Sequence, residues 1–93
     1  MEDLTAFRRD LLYVIAGLDT PKGLVIKSEL DEYYSQEIHP GRLYPNLDTL
    51  VEKGLVNKGY HDNRTNAYQL TDRGEREIEA RREWEAKYVT VHE

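Results

Sequence analysis

Apolar residues along this chain recur with the period of a helix, then of a strand, then of a helix again. Leu4, Phe7, Leu11, Val14, Ile15 and Leu18 form a wide stripe at three- and four-residue spacing, which predicts a first helix capped by Thr5 or Asp3 and ended near Gly17. After the Asp19-Thr20-Pro21 break, Ile26, Leu30, Tyr33 and Tyr34 repeat the spacing i, i+4, i+7, i+8 and predict a second helix stopping near Ser35. Leu43, Leu47, Leu50 and Val51 do the same for a third helix, bracketed at its start by Pro40 and Pro45. With that helix beginning near Gly41, Pro45 falls in the first turn, where a missing N–H has no intrahelical acceptor. Gly54 closes the helix as a left-handed cap. There the period shortens: Leu55, Val56 and Tyr60, then Ala67, Tyr68 and Leu70, lie on two short runs either side of a polar segment, the pattern of a β-hairpin. Ile38 is expected to add a strand residue beside it. Thr71 as cap and Asp72 at the positive dipole end predict a fourth helix over roughly Asp72 to Tyr88. Its apolar residues, Ile78, Ala80, Trp84, Tyr88 and Val89, make too thin a stripe for a core helix, so a partner surface with an aromatic anchor is expected.

A helix followed directly by a hairpin, behind two other helices, outlines a winged helix-turn-helix: α+β, a three-helix core plus a β-hairpin wing, with a C-terminal dimerisation helix. Its third helix suits the major groove of DNA, and its hairpin tip an adjacent backbone or minor groove. The chain, 1–93, reads as a single such domain, with 72–89 as the dimerisation helix. Ninety-three residues with 39% hydrophobic content bury only about 60% of their unfolded surface. Stability at that size is marginal, so a homodimer is expected on that ground as well.

Charge is the main objection, because DNA binding rests on neutralising phosphates and this chain carries −5. Divided along the chain, the objection weakens: residues 1–37 carry −4, residues 75–93 carry −2, and residues 38–74, the reading head, carry +1. An acidic excess with only five lysines also resembles proteins of salt-loving cytoplasm, where Coulomb forces are screened within about 3 Å at 1 M salt. Ordinary acidic surface bias in a mesophile explains the composition equally well.

The absence of cysteine excludes disulfides and thiolate metal sites. No apolar run approaches the ~20 residues that span a membrane, and the amino terminus lacks a signal pattern, so a soluble, cytoplasmic protein without membrane contact is expected. His39, His61 and His92 share no metal-ligand spacing, and neither a phosphate loop nor a nucleophile elbow is present. The expectation is no enzyme, no metal and no cofactor. The glutamates at 75, 77, 79, 83 and 85 read as a solvated helix face, with Glu77 pairing Arg81 and Glu79 pairing Arg82.

Candidate DNA contacts follow from position. Arg42, at the amino end of the third helix and off its stripe, is placed to reach a guanine edge or a phosphate, against the alternative of an ion pair with Asp48 or Glu37. Asn46 is the better base reader. Tyr44 is placed either to donate to phosphate or to form core rim, and Thr49 and Lys53 face the groove edge or solvent. Arg64, at the hairpin tip, suits a minor groove or a phosphate, with Asn66 assisting. Lys22 and Lys27 flank the start of the second helix and suit phosphate clamping, although Asp31 four residues after Lys27 is its ordinary partner.

The run Gly41-Arg42-Leu43-Tyr44-Pro45-Asn46-Leu47, with Leu50-Val51-Glu52-Lys53-Gly54-Leu55-Val56 and then Tyr68-Gln69-Leu70-Thr71-Asp72-Arg73-Gly74, resembles the PadR family of bacterial and archaeal transcriptional regulators. Leu11 to Ile15 before Gly17, and Gly23 at the opening of the second helix, extend the resemblance over nearly the whole chain. The resemblance implies a winged-helix homodimer that represses promoters at a pseudo-palindromic operator in double-stranded DNA. It also implies that the first and last helices pair the subunits, which assigns Leu4, Phe7, Leu11, Ile78, Trp84 and Tyr88 to the dimer interface. Two features depart from the family pattern: His39 stands where a serine often precedes the Pro-Gly pair, and the carboxy-terminal part is one helix without the second domain of larger members. No small-molecule inducer is identified. From a different class, a winged-helix protein-interaction module that binds no DNA is the alternative. A surface with Arg42, Lys53 and Arg64 on one face would separate the two.

Overall fold

The computed structural model describes residues 1–60 and 65–89. α1 (Ala6–Gly17) starts at Thr5, whose hydroxyl accepts from the Arg8 amide, and ends at the predicted glycine. α2 (Gly23–Tyr34) ends at Ser35, which adopts a left-handed conformation with φ of 55°. α3 (Pro40–Glu52) begins a residue earlier than the pattern predicts, with Pro40 itself at the first position. Pro45 is therefore sixth, in the second turn, and forgoes the bond its amide would give the Gly41 carbonyl. Both residues are exposed, so water can solvate that carbonyl. Gly54 supplies the left-handed cap, with φ of 75°.

β1 (Val56–Tyr60) and β2 (Asn66–Leu70) pair antiparallel, with Val56 opposite Leu70 and Tyr60 opposite Asn66. Ile38 joins no strand. It is buried, and its amide donates to Asp31 Oδ1 at 2.6 Å, so its hydrophobicity marked the core and not pairing. The third strand contact comes from Lys22, bridged to Ala67, while the Tyr68 amide donates to the Pro21 carbonyl at 2.9 Å.

α1 lies at the centre and touches α2, α3 and β2. Leu11, Leu12, Ile15, Ile26, Leu30, Leu43, Leu47, Leu50, Val56 and Tyr68 are the buried heart of the core. Leu12 falls outside the predicted stripe because a central helix is covered on more than one side. For the same reason Leu4, Phe7 and Leu11, expected at a dimer seam, are buried inside the protomer itself. Tyr33, expected on the buried stripe of α2, is instead 73% exposed and meets Tyr34 edge-on, with ring centroids 5.2 Å apart.

α4 (Asp72–Ala86) packs principally on α1 and β2. The Thr71 hydroxyl accepts from the Gly74 amide at 3.0 Å and donates to the Gly54 carbonyl at 2.7 Å, which ties the base of α4 to the corner between α3 and β1. At Gly74 the approach is so close that an added Cβ would lie 2.2 Å from the Leu55 carbonyl oxygen. Ile78 packs against the core, whereas Trp84 remains 48% exposed. Glu77 pairs with the Met1 amine and not with Arg81, which reaches Glu85 at 3.8 Å and lies 4.5 Å from the Trp84 ring centroid. Among the described residues no helix is long and apolar enough to cross a membrane.

Candidate nucleic-acid interface

Successive residues of a helix turn by about 100°, so the apolar stripe of α3 leaves two polar flanks. Arg42, Asn46, Thr49 and Lys53 occupy one, and the structure turns it toward the amino-terminal part of the chain. The Arg42 guanidinium lies 4.0 Å from the centre of the Phe7 ring, a cation–π contact. Asn46 is half-buried: its Oδ1 accepts from Arg8 Nε at 2.9 Å and its Nδ2 donates to the Arg42 carbonyl at 2.6 Å. The Thr49 hydroxyl bonds back to the Pro45 carbonyl at 3.0 Å, and Lys53 Nζ pairs with Asp3 at 3.0 Å. The Lys53 ammonium, foremost by its hydrogen bond, lowers the pKa of Asp3.

The other flank carries Tyr44 and Asp48 and faces the start of α2 and the wing. Asp48 pairs with Lys58 on β1 at 3.6 Å. Beside Tyr44 opens a cleft of about 390 Å³ lined by Lys22, Gly23, Leu24, Tyr44, Thr65 and Asn66. One wall is the unusual start of α2, where Lys22 caps the helix through its backbone alone, the Val25 and Ile26 amides both donating to its carbonyl. Gly23 makes room for the tyrosine: an added Cβ would come within 2.8 Å of the Tyr44 ring edge and hydroxyl. The opposite wall is the beginning of β2. Lys22, Tyr44 and Asn66, separated by up to forty-four positions in sequence, thus share one opening.

Lys27 does not join them. Its ammonium bonds Asp31 at 2.8 Å and Glu37 at 3.4 Å, and its pKa is raised, chiefly by the Asp31 hydrogen bond. Asp31, held by Lys27 and by the Ile38 amide, is correspondingly lowered. Arg64 lies outside the described residues, so the proposed single face of Arg42, Lys53 and Arg64 reduces to two residues on the α1 flank. Among the described residues no cluster of histidine and carboxylate side chains suits a metal ion.

Sequence reasoning missed Arg8, Lys58 and Leu24. Arg8 did leave a signal, because it stands four residues after Leu4 and four before Leu12, a charge on the buried side of α1. Leu24 is 70% exposed at the cleft edge and Lys58 reaches α3 only through the tertiary arrangement. Neither had a local pattern to betray it.

The family model of PadR-like transcriptional regulators matches residues 11–80. Among functionally curated proteins, none matches the sequence. Solved structures of RosR from H. salinarum are similar: one grown from NaBr is 48% identical over 97% of this chain and 82% of its own, with a TM-score of 0.88. Another, in the hsRosR-SG complex, is 46% identical over 98% and 80% of the two chains, with a TM-score of 0.91. F93 from STIV, described as a winged-helix DNA-binding protein, shares the winged-helix fold at 22% identity over 98% of this chain and all of its own, with a TM-score of 0.74.

Proposed function

We propose, from the premise that this chain belongs to the PadR-like family of transcriptional regulators, that it binds operator DNA as a homodimer and represses by occupying the promoter. The observation that carries the reading is the cleft. In a chain with 18 Asp and Glu against 13 Lys and Arg, none of the described residues lining it is acidic, and an ammonium, a phenol and an amide open onto it together. Those are donors for phosphate oxygens, which fix register on the duplex without reading sequence. With the backbone seated there, α3 enters the major groove, and Arg42 and Asn46, on the flank away from the wing, meet base edges. Thr49 and Lys53 follow toward the groove edge.

The half-exposed Trp84, its ring tilted at 58° to that of the exposed Tyr88 with centroids 5.3 Å apart, supports a seam through α4. Two such protomers would present paired reading helices to a pseudo-palindromic site. The alternative of a docking module that binds no DNA leaves the cleft's ammonium, phenol and amide without a purpose.

The test compares affinity for a selected operator duplex and a random duplex. Lys22→Ala and Tyr44→Phe should weaken both together, because phosphate contacts carry no sequence information. Arg42→Ala should narrow the gap between them by about 1–3 kcal/mol. Unchanged affinity of both cleft variants would remove the phosphate seat, and equal losses on both duplexes for Arg42→Ala would remove base reading from that residue.

A further inference from the structure

We infer that Arg8, on α1, fixes the orientation in which Asn46 meets DNA and so takes part in sequence discrimination as a positioning residue; the inference rests on the reading of Asn46 as a base-facing residue. A carboxamide recognises adenine only in one order, its oxygen accepting from the exocyclic amine and its nitrogen donating to N7. On an open helix surface the amide can turn over at little cost, which blurs that order. Here Arg8 Nε donates to Oδ1 at 2.9 Å while Nδ2 donates to the Arg42 carbonyl at 2.6 Å. Turned over, Nδ2 would face the guanidinium N–H and Oδ1 would face the carbonyl, a donor against a donor and an acceptor against an acceptor. The order is thereby locked, and each end of the amide keeps a second lone pair or N–H for a base.

The placement of Arg8 fits this role better than that of a surface charge. It is half-buried between Leu4 and Leu12, and among the described residues it makes no ion pair. In an acidic chain, it directs its Nε–H at a neutral amide. The Arg42 contact on Phe7 and the Lys53 pair with Asp3 join the same flank of α3 to the same part of the chain. The platform on which Asn46 sits is thus braced at three points, two from α1 and one from Asp3 just before it. A lysine ammonium could also donate to Oδ1, but as a rotating point charge on a flexible stem it would not hold the amide in one place and plane, as the rigid Nε–H of arginine does.

A pool of duplexes randomised over one half-site, bound and sequenced, gives base preference position by position; affinity for an unselected duplex across a potassium chloride series gives the charge contribution. Wild type, Asn46→Ala, Arg8→Lys and the Arg8→Lys/Asn46→Ala double variant are compared. Arg8→Lys is expected to keep the random-duplex affinity and salt slope of wild type, yet to lose about fivefold or more in preference at the same base pairs as Asn46→Ala. The double variant should lose no more than Asn46→Ala alone, the signature of two residues acting through one contact. Arg8→Lys with wild-type preference where Asn46→Ala has lost it would overturn the inference and leave the Asn46 reading standing. Intact preference in Asn46→Ala would instead sink the base-facing role of Asn46, and the inference with it. A uniform loss on all duplexes in Arg8→Lys would assign Arg8 to phosphate, which also overturns it.

Discussion

Tyr34 Oη donates to the Asp10 carboxylate at the edge of the core, and its ring meets Phe7 at 6.1 Å between centroids. Burial first, then the hydrogen bond and charge of Asp10, push its phenol up to about 12 from the ordinary 10.0. Because the folded value is raised, the neutral phenol's contribution to stability is fully present below pH 10.0 and is lost as pH climbs through about 12. The stability difference between wild type and Tyr34→Phe, measured by chemical denaturation across that window, should therefore shrink with rising pH. A constant difference would mean that the Asp10 bond is not kept in solution. At this scale the sequence was legible only in part. The helical period put Arg42, Asn46 and Lys53 on a polar flank, but their partners Phe7, Arg8 and Asp3 stand far earlier in the chain, and no local pattern pairs residues across that distance.

Two glycines separate what the elements need for packing from what they need for binding. At Gly74 an added Cβ meets backbone, the Leu55 carbonyl oxygen at 2.2 Å, and neither α4 nor the entry to β1 can yield without breaking the Thr71 contacts. Gly74→Ala should cost about 3 kcal/mol in denaturant unfolding. At Gly23 the obstacle is the end of the Tyr44 side chain at 2.8 Å, which can swing away. Gly23→Ala should change stability by less than about 1 kcal/mol but weaken operator and random duplex alike, since Tyr44 leaves the cleft. A stability loss as large as that of Gly74→Ala would show that Tyr44 is core rim and not a DNA contact. The elements themselves were readable from period and caps: Thr5, Gly54 and Thr71 mark the boundaries expected of them. Ile38 and Pro45 were not, because burial alone does not specify a strand and the helix start shifted by one residue.

For the whole molecule, the proposed dimer makes α4 the decisive element. Trp84→Ala should raise the dimer dissociation constant by about thirtyfold or more, read by sedimentation over a range of concentrations. A wild type that sediments as a monomer at micromolar concentration would remove the seam. The acidic balance bears on DNA binding directly. Arg42, Lys53, Lys58 and Arg64 of the reading segment, with Lys22 at the cleft, are the cations available, and Lys53 and Lys58 already face Asp3 and Asp48. Two protomers would then neutralise at most about ten phosphates, and log affinity should fall with log salt less steeply than about −0.9 for each. Repulsion from the acidic helices at low salt pushes the same way, so affinity is expected to pass through a maximum as potassium chloride rises. A steep, monotonic loss with the full slope would show that the carboxylates stand too far from the duplex to matter, and that the composition is not a salt adaptation.

The order of helix, hairpin and helix, the caps and the candidate reading segment were written into the sequence, because period, glycine, proline and capping residues act within a few positions and are governed by local sterics and hydrogen bonding. What covers each stripe was not. Leu4, Phe7 and Leu11 were read as a seam between subunits and are instead consumed by the neighbours of a central helix. The split of the polar residues of α3 into an α1-braced flank and a flank beside the cleft likewise came only with the tertiary structure. Hydrophobicity fixes that a face must be buried; only the packing of all elements at once decides which surface buries it, and therefore which polar groups are left open to DNA.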